Sequence, residues 1–209
     1  MDTTNEYRRG LKERIINYAL QEFFKRGIKA VKMDDLSRGL HVSKRTVYEI
    51  FGDKEELLLE GLKARDRELA HLLQNFLAHS NRNVIDIICY FYQLQLRLNK
   101  EVGVLFYEEI HKMPRIVAYL EELHDKQGAD RVRFFNMGVK EGLFRDDVDY
   151  ELISAASNIA MNEFMHQQFY KQFSMQKIYD NYSMVLLRGI CTERGLQLLN
   201  RGMRHVYEE

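Results

Sequence analysis

KAVKMDDLSRGLHVSKRTVYEIFGDKEELL, residues 29–58, decides how the chain is read. Met33, Leu36, Ser37 and Leu40 share one face at helical spacing, which predicts a short helix over residues 33–40. His41-Val42-Ser43 breaks it. Ser43 is a good N-cap, because its hydroxyl can accept from an N–H of the first turn, so a second short helix is expected over residues 44–51. There Val47, Ile50 and Phe51 fall at i, i+3, i+4 and turn inward, leaving Lys44, Arg45, Thr46 and Tyr48 outside. Gly52 ends that helix. Asp53-Lys54-Glu55-Glu56 then has capping-box spacing, with Asp as the cap of a long helix through Leu58, Leu62, Leu69, Leu72 and Phe76.

Upstream, Leu11, Ile15, Ala19 and Phe23 recur every four residues, widened by Ile16, Leu20 and Phe24. This predicts a first helix from about Asn5 to Arg26, stopped by Gly27. An amphipathic helix followed by two short helices and a three-residue turn is a helix-turn-helix unit. Its last helix must bury one face and offer hydrogen-bond donors on the other, where a major groove can take them. Lys44, Arg45, Thr46 and Tyr48 meet that condition. Lys54 adds a cation at a helix start that already favours anions.

Charge supports the same division. The 209 residues carry 31 Lys and Arg against 31 Asp and Glu, which excludes a uniformly basic nucleic-acid coat. Residues 1–48 nevertheless hold 11 bases and six acids, a surplus of five, and the remainder is acidic by the same amount. An anionic partner is therefore expected for the first part only.

The elements Val42-Ser43, Lys44-Arg45-Thr46-Val47-Tyr48-Glu49-Ile50-Phe51 and Gly52-Asp53-Lys54-Glu55-Glu56-Leu57 resemble the N-terminal signature of the TetR family of transcriptional regulators. The resemblance covers residues 8–62 in organisation and is strongest over 42–57. It implies DNA roles at Lys32, Ser43, Lys44, Arg45, Thr46, Tyr48 and Lys54. Lys44, Arg45 and Thr46 would open the recognition helix, Tyr48 would contact the backbone, and Lys54 would hold a phosphate. Three positions depart from the family pattern. Lys32 stands where a capping Thr is usual, and His41 stands in place of a turn glycine. Glu49 occupies a position that often holds a DNA-contacting His; a carboxylate there could accept from cytosine N4 or repel phosphate.

Further on, helical periodicity is expected near 84–99, 102–112, 115–141, 150–172 and 176–192, with breaks at Asn81/Asn83, Lys100, Pro114, Gly142 and Phe173/Ser174. Pro114 suits a first helical turn, and Asp149 can cap the helix after Gly142. The expected fold is all-α. A three-helix DNA-binding domain over residues 1–55 precedes a larger helical domain over 56–209. The resemblance implies that this second domain senses a ligand and dimerises.

Aromatic, Met and His side chains there make Tyr90, Phe106, Tyr107, His111, Phe134, Met137, Met161 and His166 the candidate ligand contacts. Small-residue faces at Ala155, Ala156, Ile159 and Ala160, and at Tyr182, Val185, Leu186 and Gly189, are the candidate dimer surfaces.

Glu-x-x-His occurs at Glu68/His71, Glu108/His111, Glu121/His124 and Glu163/His166. Such pairs hold metals in di-metal carboxylate bundles, so the alternatives are a metal-responsive regulator or a di-metal bundle enzyme. Simple i,i+3 surface pairing explains them without metal. No phosphate-cradling Gly loop or nucleophile motif is present, and neither an enzyme activity nor a cofactor is expected. Two distant cysteines in apolar settings, an N-terminus without an apolar h-region and the absence of a ~20-residue apolar run point to a reduced, cytoplasmic protein that does not span a membrane. The expectation is a homodimeric repressor that binds double-stranded operator DNA and is released by a small-molecule effector.

Overall fold

The computed structural model describes the backbone of residues 2–78 and 82–208, and the side chains of 6–78, 82–123 and 130–206. The Asn81 break and the His124 side chain lie outside these residues. Eleven α-helices are described: α1 (Asp2–Arg26), α2 (Met33–Gly39), α3 (Lys44–Ile50), α4 (Lys54–Ala78), α5 (Val84–Asn99), α6 (Val104–Ile110), α7 (Pro114–Lys140), α8 (Tyr150–His166), α9 (Met175–Ile178), α10 (Met184–Ile190) and α11 (Glu193–Glu208). No strand forms among the described residues; one antiparallel bridge joins Phe144 and Cys191. No described helix is long and apolar enough to cross a membrane.

The chain packs as two compact units, residues 1–69 with 101–121, and residues 70–100 with 122–209. In the first, α1 buries Ile15, Ala19 and Phe23 against Leu36 of α2, Val47 of α3, and Leu57 and Leu58 of α4. Fully burying a side chain such as Phe23 is worth about 1.5–3 kcal/mol, so this apolar face is what holds the short helices α2 and α3, too short to persist alone.

The same core takes Phe106 and Ile110 from α6 and Ile116 from α7. Phe106 meets Phe24 edge-on at 4.8 Å, and Gly103 N–H donates to the Phe24 carbonyl at 2.9 Å. A Cβ on Gly103 would lie 3.0 Å from that carbonyl oxygen, which is why the chain approaches so closely there. Segment 101–121 thus packs with α1–α4, although it lies far beyond residue 55 in sequence.

The second unit is built on α5, α11 and segment 143–150. Leu143, Phe144 and Cys191 are buried with Val84, Ile85, Leu199 and Met203. Asp149 caps α8 as expected, its carboxylate accepting Leu152 N–H at 2.9 Å. Two expected helices are corrected. The helix over 150–172 ends at His166, because Gln168 turns left-handed (φ 57°) before a single 3-10 turn at Phe169–Lys171. The helix over 176–192 is really α9, a π-helical turn at Tyr179–Ser183 and α10. A last helix, α11, was not expected. Gly195 and Gly202 weaken its propensity, but both are needed for close packing. A Cβ at Gly195 would sit 2.0 Å from the Leu143 carbonyl oxygen, and one at Gly202 would sit 2.6 Å from Cys89 Sγ.

Cys89 and Cys191 are buried free thiols, each pushed up to about 11 by burial, so both remain protonated and unreactive near neutral pH.

Candidate nucleic-acid interface

The short helices expected from sequence form with small changes of length: α2 ends at Gly39 and α3 at Ile50. His41 takes the left-handed conformation (φ 56°), the geometry that makes glycine usual in such a turn. Val42 N–H then donates to the Ser37 carbonyl at 3.0 Å, closing the turn. Ser43 caps α3, accepting Thr46 N–H at 3.0 Å, and its hydroxyl also pairs with the Thr46 hydroxyl at 2.7 Å. Val47 and Phe51 are fully buried and Ile50 is half-buried. Lys44, Arg45, Tyr48 and Glu49 are exposed, and Thr46 is half-buried. The motif therefore presents one polar face, held by an apolar one.

That face is internally compensated. Lys44 Nζ lies 2.8 Å from the Asp34 carboxylate and 5.8 Å from the centre of the Tyr48 ring. Arg45 Nε donates to Glu49 at 2.7 Å. The hydrogen bond from each cation to its acid raises its pKa, so both stay charged. These exposed pairs are weak, and a phosphate or base edge can replace the carboxylate. Glu49 is thus occupied by its own helix neighbour. The Arg45–Glu49 spacing of four was visible in sequence; the Lys44–Asp34 pairing spans the turn and was not.

Lys32 is the N-cap of α2 and is exposed; its side chain makes no capping hydrogen bond, and its N–H donates to Asp35 at 3.3 Å. The start of α4 is half a capping box. Asp53 accepts Glu56 N–H at 2.7 Å, but Glu56 reaches back to Gly52 N–H, one residue earlier than the box requires.

Lys54 is directed inward. Its ammonium donates to the carbonyls of Ile28 at 2.7 Å and Val31 at 3.0 Å, and burial lowers its pKa. It fastens the turn between α1 and α2. The same turn is held from α6, where the Glu109 carboxylate accepts Lys29 N–H at 2.7 Å. Arg115 at the start of α7 donates its N–H to Glu55 at 3.1 Å and pairs with Asp53 at 3.3 Å. Sequence reading missed Glu109 and Arg115, because nothing local links residues 80 or 60 positions apart. Lys54→Met is expected to lower unfolding stability by about 1.5–3 kcal/mol, since two buried carbonyls lose a charged donor. Urea unfolding checks this. Wild-type stability with weakened DNA binding would assign Lys54 to phosphate alone.

The eight candidate ligand residues divide between the units. In the first, Phe106 is buried in the core, Tyr107 meets it edge-on at 6.1 Å, and His111 is the exposed C-cap of α6. In the second, Tyr90 stacks on Phe76 at 4.1 Å and Phe134 packs near Phe144 at 6.5 Å. Met137 and His166 are exposed and Met161 is half-buried. Among the described residues, no group of three or more His, Cys, Asp and Glu side chains could hold a metal ion.

Residues 15–60 match the family model of bacterial regulatory proteins of the tetR family. Over 193 residues the chain is 24% identical to the HTH-type transcriptional repressor KstR2 of Mycobacterium tuberculosis, covering 86% of this chain and 92% of that one. Two solved structures share the fold. A TetR-family transcriptional regulator from Marinobacter aquaeolei has a TM-score of 0.66 at 15% identity, covering 93% of this chain and 98% of its own. A putative transcriptional regulator from Saccharomonospora viridis, solved in complex with choline, has a TM-score of 0.62 at 20% identity, covering 94% and 97%.

Proposed function

We propose that this chain is a TetR-family transcriptional regulator, a reading supported by the match of its residues 15–60, and that it acts as a homodimeric repressor released from operator DNA by a small-molecule ligand. Residues 1–55 are the reading part, and 56–209 sense and pair. The observation that carries the reading is the polar face of α3, the exposed Lys44, Arg45 and Tyr48 with the half-buried Thr46, set on the buried Val47 and Phe51. Ser43 fixes where that helix begins. Lys32 reaches phosphate by charge. Lys54 gives two N–H groups to the turn it fastens and has one left for a phosphate. The similar M. tuberculosis protein is a repressor, and the S. viridis regulator of the same fold was solved with a small molecule; both support this reading. A cytoplasmic location follows from that role.

Release is a coupling between two sites, and the ligand must bind the non-operator state more tightly or nothing shifts. The hydrogen bond that Glu109 accepts from Lys29 and those that Arg115 donates to Asp53 and Glu55 make α6 and the start of α7 the handle on the DNA-binding helices. Displacing α6 would pull on the turn that sets α2 and α3.

Selection of bound DNA from a random pool tests the reading. The expected product is an inverted repeat, with half-site centres one or more helical turns apart. A single asymmetric motif would remove the dimer, and no enrichment would remove DNA binding.

A further inference from the structure

The second unit contains a cavity of about 360 Å³ opened between the end of α4, α5 and α11. Its floor is apolar: Ile85 and Cys89 of α5 face Leu198 and Val206 of α11. Gly202 lies at the crossing, where a Cβ would meet Cys89 Sγ at 2.6 Å, so the missing side chain is what lets α11 approach. One wall is a three-tier stack. The Arg82 guanidinium lies 4.4 Å from the Phe76 ring centre, and Phe76 lies parallel to Tyr90 at 4.1 Å. Opposite, Arg201 and His205 stand one turn apart on α11 and line the same space.

The charges on this rim are unequal. Two guanidinium groups, Arg82 and Arg201, face one carboxylate, Asp86. Asp86 accepts Asn83 N–H at 3.1 Å as part of the α5 capping box, so its charge is already engaged at a helix start. The Cys89 thiol is held protonated by burial and adds no negative charge. Phe76 is covered on both faces, so a flat apolar body would lie against Tyr90 and the edge of Phe76 over the aliphatic floor, and an anionic end would meet the guanidinium groups, which suit carboxylates in bidentate geometry.

We propose that this cavity is a binding site for amphipathic carboxylates with a planar apolar body. The proposal names a ligand class for the sensing part and rests on the ligand-regulated reading only for its consequence at the operator. Binding is measured without DNA, so its failure would leave the repressor reading untouched.

The test is calorimetric titration of the full chain with 2-naphthoate and with 2-naphthamide, which has the same ring system and no charge. One equivalent of naphthoate is expected to bind at least tenfold more tightly than naphthamide. Arg201→Gln changes an exposed position of α11 and should weaken naphthoate at least fivefold without moving naphthamide. Tyr90→Ala should weaken both. Equal affinity for the two probes, or no binding of naphthoate, would overturn the proposal. So would full naphthoate affinity in Arg201→Gln together with Arg82→Gln. A circular dichroism melt of each variant separates loss of the site from loss of the fold.

Discussion

Lys44→Ala is expected to lower operator affinity at least ~25-fold. Lys44 opens α3 with an exposed ammonium whose partners within the chain are Asp34 and the Tyr48 ring. A lost base-edge or phosphate contact of this kind weakens DNA binding about five- to one-hundred-fold, and the proposed dimer loses it at both half-sites. The fold should not change, because exposed ion pairs contribute little to stability. Fluorescence anisotropy on the selected operator measures the loss. If the contact is to phosphate, the salt dependence of binding should also flatten by about one unit of slope per subunit.

Asp34→Asn is the control of opposite sign. It removes the carboxylate that competes with DNA for Lys44, so affinity should rise modestly at low salt. Tyr48→Phe should weaken binding less than Lys44→Ala, since it removes one hydroxyl and keeps the ring. Unchanged operator binding in both Lys44→Ala and Tyr48→Phe would remove this face of α3 from the DNA interface.

Much of this face was legible in residues 29–58 because its determinants are local. Val47 and Phe51 repeat at the helical period, Ser43 stands at a cap, and His41 sits where a left-handed residue is required; each is found as the spacing implies. Other features depend on residues that meet only after folding. The opening of α4 marked Lys54 as a candidate phosphate contact, but its second role, fastening carbonyls more than 20 residues upstream, had no local signal. Glu109 reaches Lys29 across 80 residues. Helix α11 was not expected although Leu196, Leu199, Met203 and Val206 recur at helical spacing; what that repeat does not reveal is that Gly195 and Gly202 are where α11 needs no side chain to pack. The π-helical turn at Tyr179–Ser183 left no mark on the hydrophobic period.

Ile159→Arg is expected to convert a dimer into monomers. Leu152 and Ile159 on α8 are 63% and 71% exposed, and Val185 on α10 is 56% exposed. Ala155 and Ala156 lie between the first two on the same helix, also exposed. Gly189, on α10, has no described atom outside its two neighbours and its own helix backbone within 4 Å of where a Cβ would stand, so no packing within the chain demands glycine there. Large exposed apolar side chains flanked by small residues suit a second copy of the same surface, against which helices can approach closely. An isologous contact places residue 159 in the interface twice, so one substitution buries two guanidinium groups without partners, a cost the apolar contact cannot offset. Sedimentation equilibrium at micromolar concentration should give a dimer for the wild type and a monomer for Ile159→Arg, with unchanged helical content by circular dichroism. Ile159→Ala, which only trims the contact, should weaken the dimer without abolishing it. Operator affinity should fall with the dimer, because a monomer engages one half-site and gives up the gain from holding both at once. A variant that stays dimeric and keeps its operator affinity would move the interface away from α8.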